Sequence, residues 1–138
     1  MNPTTRAVVL EKPEQLALHD LDLVEPQDED VVVDVEWSGI STGTEKLLYS
    51  GRMPTFPGMG YPLVPGYESV GRVRAAGPAS GHAVGERVFV PGARCFGEVR
   101  GLFGGAASRL VVPGQRVFKV SDELGEHAVL LEIGRAHV

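Results

Sequence analysis

Short runs of apolar residues, separated by helix- and strand-breaking residues, dominate the first forty positions of the chain. Over positions 30–37 one side of a two-residue alternation carries three valines and a tryptophan, Val31, Val33, Val35 and Trp37. This alternation of β-branched residues predicts a strand with one buried face. The apolar runs at 6–10 and 16–24 flank a Lys-Pro-Glu breaker at 12–14 and predict an opening pair of strands.

The pattern changes after position 41. Thr42 and Glu45 stand three residues apart, as in a capping box, which predicts that the Glu45 carboxylate accepts a hydrogen bond from the backbone N–H of Thr42. A short helix is expected to continue over 46–49 and to end at Gly51. The next segment, 52–65, is rich in Pro, Gly and Met and predicts a long ordered loop.

Strand patterns return in the second half of the chain, at 66–75, 88–90, 107–112 and 116–120. Glycine-rich residues at 92–105 predict another loop, and Ser121 is placed to cap a final helix. Many short strands with few helices indicate a mainly β fold, a small β-barrel with short helical additions.

The amino-acid composition agrees with this predicted fold and limits the partners and the location that are expected for the chain. The 138 residues suit one domain, and a hydrophobic fraction of 43% supports a buried core. A net charge of −5 argues against nucleic acid as a partner. No apolar run approaches the ~20 residues of a transmembrane segment, and no signal segment opens the chain, so a cytoplasmic location is expected. Cys95 is the single cysteine and the four histidines are scattered, which predicts surface histidines and no metal cluster.

Three motifs, in order, carry a resemblance to a known family. The run 37–45 reads Trp-Ser-Gly-Ile-Ser-Thr-Gly-Thr-Glu, 65–68 reads Pro-Gly-Tyr-Glu, and 85–88 reads Gly-Glu-Arg-Val. They are similar to the Cys-Gly-Ile-Cys-Gly-Thr-Asp, Gly-His-Glu and Gly-Asp-Arg-Val motifs of medium-chain dehydrogenases. The resemblance implies the GroES-like β-barrel on the substrate side of these enzymes.

Loop sequences make the resemblance more specific. The stretches 40–54, 56–68 and 97–106 resemble the medium-chain dehydrogenases of bacteriochlorophyll synthesis. This implies NAD-linked oxidation of a hydroxyethyl group on a chlorin, the small-molecule substrate, to an acetyl group. Two alternatives stay open: another zinc-free family member such as a quinone reductase, or a stand-alone GroES-like binding module.

The family's catalytic zinc ligands are replaced in this chain. The cysteine position falls on Ser41 or Thr42 and the histidine position on Tyr67, which leaves Glu68 as the remaining metal-ligating type. The resemblance therefore implies an enzyme with no zinc, in which hydroxyls or an acid–base group take the alcohol proton. Thr44 stands where the family has a relay hydroxyl, so the candidate catalytic residues are Ser41, Thr44, Tyr67 and Glu68.

Each candidate also has a structural interpretation. Thr44 could serve only to cap the helix, Tyr67 could pack at the core edge, and Ser41 could bond to backbone. Glu68 could pair with an arginine. The predicted substrate-binding residues are flexible or aromatic and suit a flat macrocycle, although a loop packed on the barrel would use the same types: Met53, Phe56, Met59 and Tyr61.

No Gly-x-Gly-x-x-Gly follows a predicted strand, so the cofactor-binding residues are unknown and the nucleotide-binding domain is expected to be missing. Residues 133–138 resemble the translation of a sequencing adapter, and we expect a non-native tail there after a substrate-side domain at 1–132. The fragment alone is predicted to be inactive. A homo-oligomer of the full-length enzyme is left open.

Overall fold

The computed structural model describes residues 3–130. These residues form nine β-strands, one short α-helix and two 3-10 helices. The strands are β1 Thr4–Lys12, β2 Gln15–Asp22, β3 Asp30–Ser38, β4 Leu63–Val64, β5 Ser69–Ala76, β6 Arg87–Val90, β7 Arg100–Gly101, β8 Arg109–Pro113 and β9 Phe118–Lys119. The helix α1 is Thr44–Ser50, and the 3-10 helices are Gly114–Arg116 and Asp122–Leu130. The predicted tail at 133–138 lies outside the described residues.

The strands form two sheets that are joined at one seam. Their orders are β2-β1-β4-β7 and β8-β3-β5-β6-β9, and every pair is antiparallel except β4 with β7. Ala7 of β1 forms a bridge with Ala107, and the N–H of Val8 donates to the carbonyl of Ala106 at 2.9 Å. This mainly β architecture confirms the predicted fold class.

The strand β3 was predicted to bury one face, and this is wrong at both ends. Val32, on the supposed polar side, is 6% exposed and joins the core, while Trp37 is 50% exposed. The β3–β5 pairing shifts register between Val32 and Val33 and again between Val35 and Trp37. The extra residue of the second shift is Glu36 of β3, which breaks the two-residue alternation before Trp37. The extra residue of the first shift is Arg74 of β5, so Val32 keeps its place in the alternation and is buried because the core also covers that face of β3.

The main core fills the space between the sheets and contains the single cysteine. Cys95 is fully buried in the same cluster as the valines of β3 and β6. Burial raises the pKa of its thiol from 9.0 to about 11. The thiol is therefore a core group, which agrees with the absence of any predicted role for it in chemistry.

The prediction that all histidines lie at the surface is wrong for His82, whose side chain is only 11% exposed. Its Nδ1 lies 2.8 Å from Glu86 Oε2, and its Nε2 lies 2.8 Å from the carbonyl oxygen of Gly114. His82 thereby connects the turn before β6 to the 3-10 helix after β8. The other histidines among residues 3–130 are exposed, as predicted.

Arg87 of the Gly-Glu-Arg-Val motif is buried and holds the last 3-10 helix against the barrel. Its guanidinium donates to the carbonyls of Ser121 at 3.0 Å and Gly125 at 2.6 Å, and to Glu36 at 3.1 Å. The predicted cap is also present, since the Glu123 N–H donates to Ser121 Oγ at 3.1 Å. The arginine of this motif therefore has a structural role here.

The predicted loop at 52–65 is largely confirmed, and it packs as a second, smaller core. It contains the short strand β4, and Gly51 ends α1 in the left-handed conformation with φ 76°. The loop's apolar side chains pack against a cluster of leucines, Leu10, Leu48, Leu63 and Leu102. No helix among residues 3–130 is long and apolar enough to cross a membrane.

Candidate active site

Two of the predicted catalytic residues are brought into direct contact. Ser41 lies between the end of β3 and the start of α1, and Tyr67 lies just before β5. The two elements meet because β3 and β5 are neighbouring strands, with Ser38 opposite Ser69. The Tyr67 hydroxyl donates a hydrogen bond to Ser41 Oγ at 2.5 Å, and both residues are half-buried.

Glu45 braces Ser41 from the first turn of α1. The N–H of Ser41 donates to Glu45 Oε2 at 2.9 Å, and the N–H of Glu45 donates to the Ser41 carbonyl at 3.0 Å. The predicted capping box is therefore wrong in its partner, because Glu45 reaches Ser41 rather than Thr42. The N-cap is Gly43, which has no side chain to complete the box.

Two carboxyl groups lie close together at this junction. Burial raises the pKa of Glu45, hydrogen bonds from backbone N–H groups lower it, and the negative charge of Glu68 raises it further. The net shift of the Glu45 pKa is upward. Glu68 itself is buried at 3% exposure. The site thus combines two hydroxyls with two carboxyl groups, and the charge of one, Glu68, raises the pKa of the other, Glu45.

Gly39 is a site residue that the sequence reasoning missed. Its N–H donates to the backbone carbonyl of Glu68 at 2.6 Å. A Cβ added at Gly39 would lie 2.5 Å from Glu68 Oε2, so the Glu68 carboxylate occupies the space of the missing side chain. Gly39 stands in the first motif, directly before Ile40 and Ser41. The reason for a glycine there becomes visible only when β3 pairs with β5.

The structure does not bring Thr44 into the hydroxyl pair. Thr44 is the first residue of α1 and is half-buried. Among the hydrogen bonds of residues 3–130, none joins its side chain to Ser41 or Tyr67. A relay role for Thr44 stays a prediction.

The residues at the family's metal positions do not fit zinc. Ser41 and Tyr67 supply neutral hydroxyls, and Glu68 supplies one carboxylate, whereas zinc in proteins takes three or four ligands of the Cys, His, Asp and Glu types. Within residues 3–130, no three His, Cys, Asp or Glu side chains come together as a metal site. The donor chemistry therefore gives no support for a metal-assisted step, and the absence of zinc stays a prediction.

A cleft of about 430 Å³ lies between residues 56–58 and residues of the 94–103 segment. The Phe103 ring lines this cleft and also packs on Tyr67, with ring centroids 5.7 Å apart and an interplanar angle of 58°. Of the four predicted substrate-binding residues, only Phe56 lines the cleft. The cleft therefore reaches the ring that contacts the candidate catalytic tyrosine.

The other three predicted substrate-binding residues, Met53, Met59 and Tyr61, pack against the leucine cluster under the loop. The Tyr61 hydroxyl donates to the Leu48 carbonyl at 2.6 Å, which ties the loop to α1. The alternative of a loop packed on the barrel therefore describes their observed contacts. Their contact with a macrocycle stays a prediction.

The fold and the motif positions define a dehydrogenase barrel, and a comparison of families agrees. Residues 27–122 match the alcohol dehydrogenase GroES-like domain, and the chain belongs to this family. It is 52% identical over 134 residues to 2-desacetyl-2-hydroxyethyl bacteriochlorophyllide A dehydrogenase of Cereibacter sphaeroides, covering 94% of this chain and 42% of that protein. It is 50% identical over 130 residues to the protein of the same name from Rhodobacter capsulatus, covering 94% and 41%.

The same fold appears in solved structures. The alcohol dehydrogenase rspB from Escherichia coli CFT073, in complex with NADH, superposes with a TM-score of 0.73 at 27% identity. That match covers 94% of this chain and 42% of the other. The chain thus spans less than half the length of the curated relatives and of this solved structure that it matches.

Proposed function

We propose that this chain is the substrate-side domain of a dehydrogenase that oxidises the hydroxyethyl group of a bacteriochlorophyllide to an acetyl group in bacteriochlorophyll biosynthesis. The observation that carries the proposal is the 52% identity, over 94% of this chain, to the Cereibacter sphaeroides relative of that name. The match includes the segments that build the Ser41–Tyr67 pair and the adjoining cleft. The chlorin is the proposed substrate, and NAD is the proposed cofactor.

The oxidation of a secondary alcohol removes a hydride from carbon and a proton from oxygen. A nicotinamide cofactor, when bound, accepts the hydride; the solved relative rspB is in complex with NADH. What remains for this chain is to hold the alcohol and to take its proton.

The hydrogen bond from Tyr67 to Ser41 gives the proton path a direction. Because Tyr67 donates its own hydrogen to Ser41 Oγ, its oxygen keeps lone pairs that can accept the substrate O–H. As the alcohol C–O bond becomes C=O, the substrate proton passes to Tyr67, the Tyr67 proton passes to Ser41, and the proton of the partly exposed Ser41 passes to solvent water. Each hydroxyl gains one proton and loses one, so the relay returns to its starting composition.

The two carboxyl groups tune this relay without contacting the substrate. Glu45 fixes the backbone of Ser41 through the 2.9 Å hydrogen bond from the Ser41 N–H. Burial and the Glu68 charge raise the pKa of Glu45 above its ordinary value. In this proposal the hydroxyl relay takes the place of a zinc ion, and Glu68 supplies the local negative charge.

A chimera tests the proposed activity. Residues 1–130 of this chain would replace the matching part of the Cereibacter sphaeroides relative, and the product would be given a hydroxyethyl chlorin and NAD⁺. We expect conversion to the acetyl chlorin, followed by absorption spectroscopy, with formation of one NADH per acetyl group. The unmodified relative is the positive control for the assay. A folded chimera that binds the cofactor but leaves the hydroxyethyl group intact would overturn the proposal.

A further inference from the structure

The cleft beside Phe103 carries two cations and no anion among its lining residues. One wall is the loop at 56–58 and the other is formed by residues between 94 and 103. The apolar part of the lining includes Phe56, Val99 and Leu102, and the charged part is Arg94 and Arg100. Glu98, the nearest acid in sequence, lines a different cleft, beside residues 21–24.

These two arginines differ from most others in the described chain. In a protein of net charge −5, five arginines form ion pairs with carboxylates: Arg6, Arg72, Arg74, Arg87 and Arg109. Within residues 3–130, neither Arg94 nor Arg100 pairs with an acid. Their guanidinium groups therefore keep donors for an external anion.

Arg100 is held over the cleft by the loop across from it. Its Nη1 donates to the Tyr61 carbonyl at 3.4 Å. A Cβ added at Gly60 would lie 2.9 Å from Arg100 Cζ, so the guanidinium lies directly against this glycine. One of the five N–H donors of Arg100 is used in this contact, which leaves the others for a ligand.

We propose that Arg94 and Arg100 bind the carboxylate of the substrate and so set its orientation in the cleft; this rests on the proposed function. A bacteriochlorophyllide is a flat apolar macrocycle with one free propionate, which matches an apolar cleft that has two cations at its edge. With the propionate held by the arginines, the macrocycle lies against Phe103, the ring that also packs on Tyr67. The two arginines are thus specificity-determining residues that do no chemistry.

Equilibrium binding of two probes to the 138-residue chain tests the proposal. Pheophorbide a is a metal-free chlorin with one propionic acid, and its methyl ester has the same ring without the charge. We expect the acid to bind about tenfold more tightly than the ester, because only the acid can form charge-assisted hydrogen bonds with the arginines. Chlorin fluorescence, titrated with protein below the aggregation concentration of the probe, gives both affinities.

Variants locate the effect. Arg94→Gln with Arg100→Gln is expected to weaken binding of the acid about tenfold and to leave binding of the ester unchanged, and lysine at both positions is expected to restore most of the loss. Gly60→Ala keeps both charges but displaces Arg100, and we expect a smaller loss that is confined to the acid. Arg52→Gln removes an exposed arginine outside the cleft and is the matched control. Circular dichroism confirms that each variant is folded.

The outcomes separate the two proposals. Equal binding of acid and ester, unaffected by the arginine variants, would overturn the arginine assignment and leave chlorin recognition standing. Failure of both probes to bind the folded chain would overturn the arginine assignment and count against the chlorin substrate as well. A loss for acid and ester alike in the double variant would mean that the arginines only shape the cleft, which also contradicts the proposal.

Discussion

The Tyr67 hydroxyl is the single group whose removal best tests the relay. The family motif places Thr44 at the position of the relay hydroxyl, whereas the observed hydrogen bond joins Tyr67 to Ser41. In the active chimera we expect Tyr67→Phe to lower kcat by about 10²-fold or more with little change in KM, since a general acid–base group acts in the transition state. Single-turnover rates and melting temperatures on the same preparations give the comparison.

Thr44→Val is the matched control, because it also removes one hydroxyl at the same junction. If Thr44 only shapes the start of α1, the variant melts earlier and turns over normally per folded molecule. A large loss of kcat in Thr44→Val, together with a normal Tyr67→Phe, would reverse the assignment and return the relay to Thr44.

We expect the buried thiol of Cys95 to make the stability of the chain depend on pH. Its folded pKa of about 11 exceeds the ordinary 9.0, so the native state holds the thiol proton more tightly than the unfolded chain does. The stability contributed by the protonated thiol is complete below pH 9 and is lost as the pH rises from 9 to 11. Alkylation by iodoacetamide at pH 8 should be at least about a hundredfold slower in the native chain than in urea. Rapid native labelling at a rate near that of the unfolded chain would contradict the buried position.

Among the elements, the last 3-10 helix is held against the barrel in part by the buried side chain of Arg87. Arg87→Met removes donors from the Ser121 and Gly125 carbonyls and leaves Glu36 without this partner. We expect a loss of about 2–4 kcal/mol in the free energy of unfolding, because the arginine side chain is 5% exposed and its partners cannot all be satisfied by water. Urea unfolding followed by circular dichroism measures it.

Arg74→Met is the matched control for Arg87→Met. Arg74 also forms an ion pair, with Asp34 at 3.2 Å, but its side chain is 56% exposed. Its loss should cost less than about 1 kcal/mol. Equal losses for the two variants would show that burial does not distinguish these arginines.

For the molecule as a whole, we expect purified protein to contain no stoichiometric zinc. The family's Cys position falls on Ser41 or Thr42 and its His position on Tyr67, and neutral hydroxyls bind zinc poorly. Elemental analysis after growth with added zinc is the measurement. One zinc per chain, lost in Glu68→Gln, would show that a metal site exists despite the donor set.

The 138-residue chain is also expected to bind NAD weakly and to be inactive by itself. No Gly-x-Gly-x-x-Gly turn follows a strand in its sequence, and that turn is what cradles the pyrophosphate in dinucleotide-binding folds. Calorimetry should give no binding in the micromolar range. The chimera, purified without bound NAD, is the positive control for the calorimetry. Tight binding of NAD to the 138-residue chain would contradict the expectation.

The sequence by itself determined the element types, because hydrophobic alternation, breakers and turn residues act locally. The opening hairpin, the short helix with Gly51 at its end, the Ser121 cap and the mainly β class all follow from neighbours within a few positions. The motifs also determined the family and indicated Ser41 and Tyr67 as candidates. These signals survive folding because they are set by residues close together along the chain.

Only the tertiary structure decided which of those residues meet. A bulge at Glu36 of β3 precedes the exposed Trp37, and the core covers Val32 on the other face of the strand. The pairing of β3 with β5 joined Ser41 to Tyr67 and left Thr44 aside. Contacts between positions 26 residues apart, such as this hydrogen bond, depend on strand register, which a one-residue bulge changes. Sequence patterns describe the faces of single elements, and the alignment of one element on another is a property of the whole packed barrel.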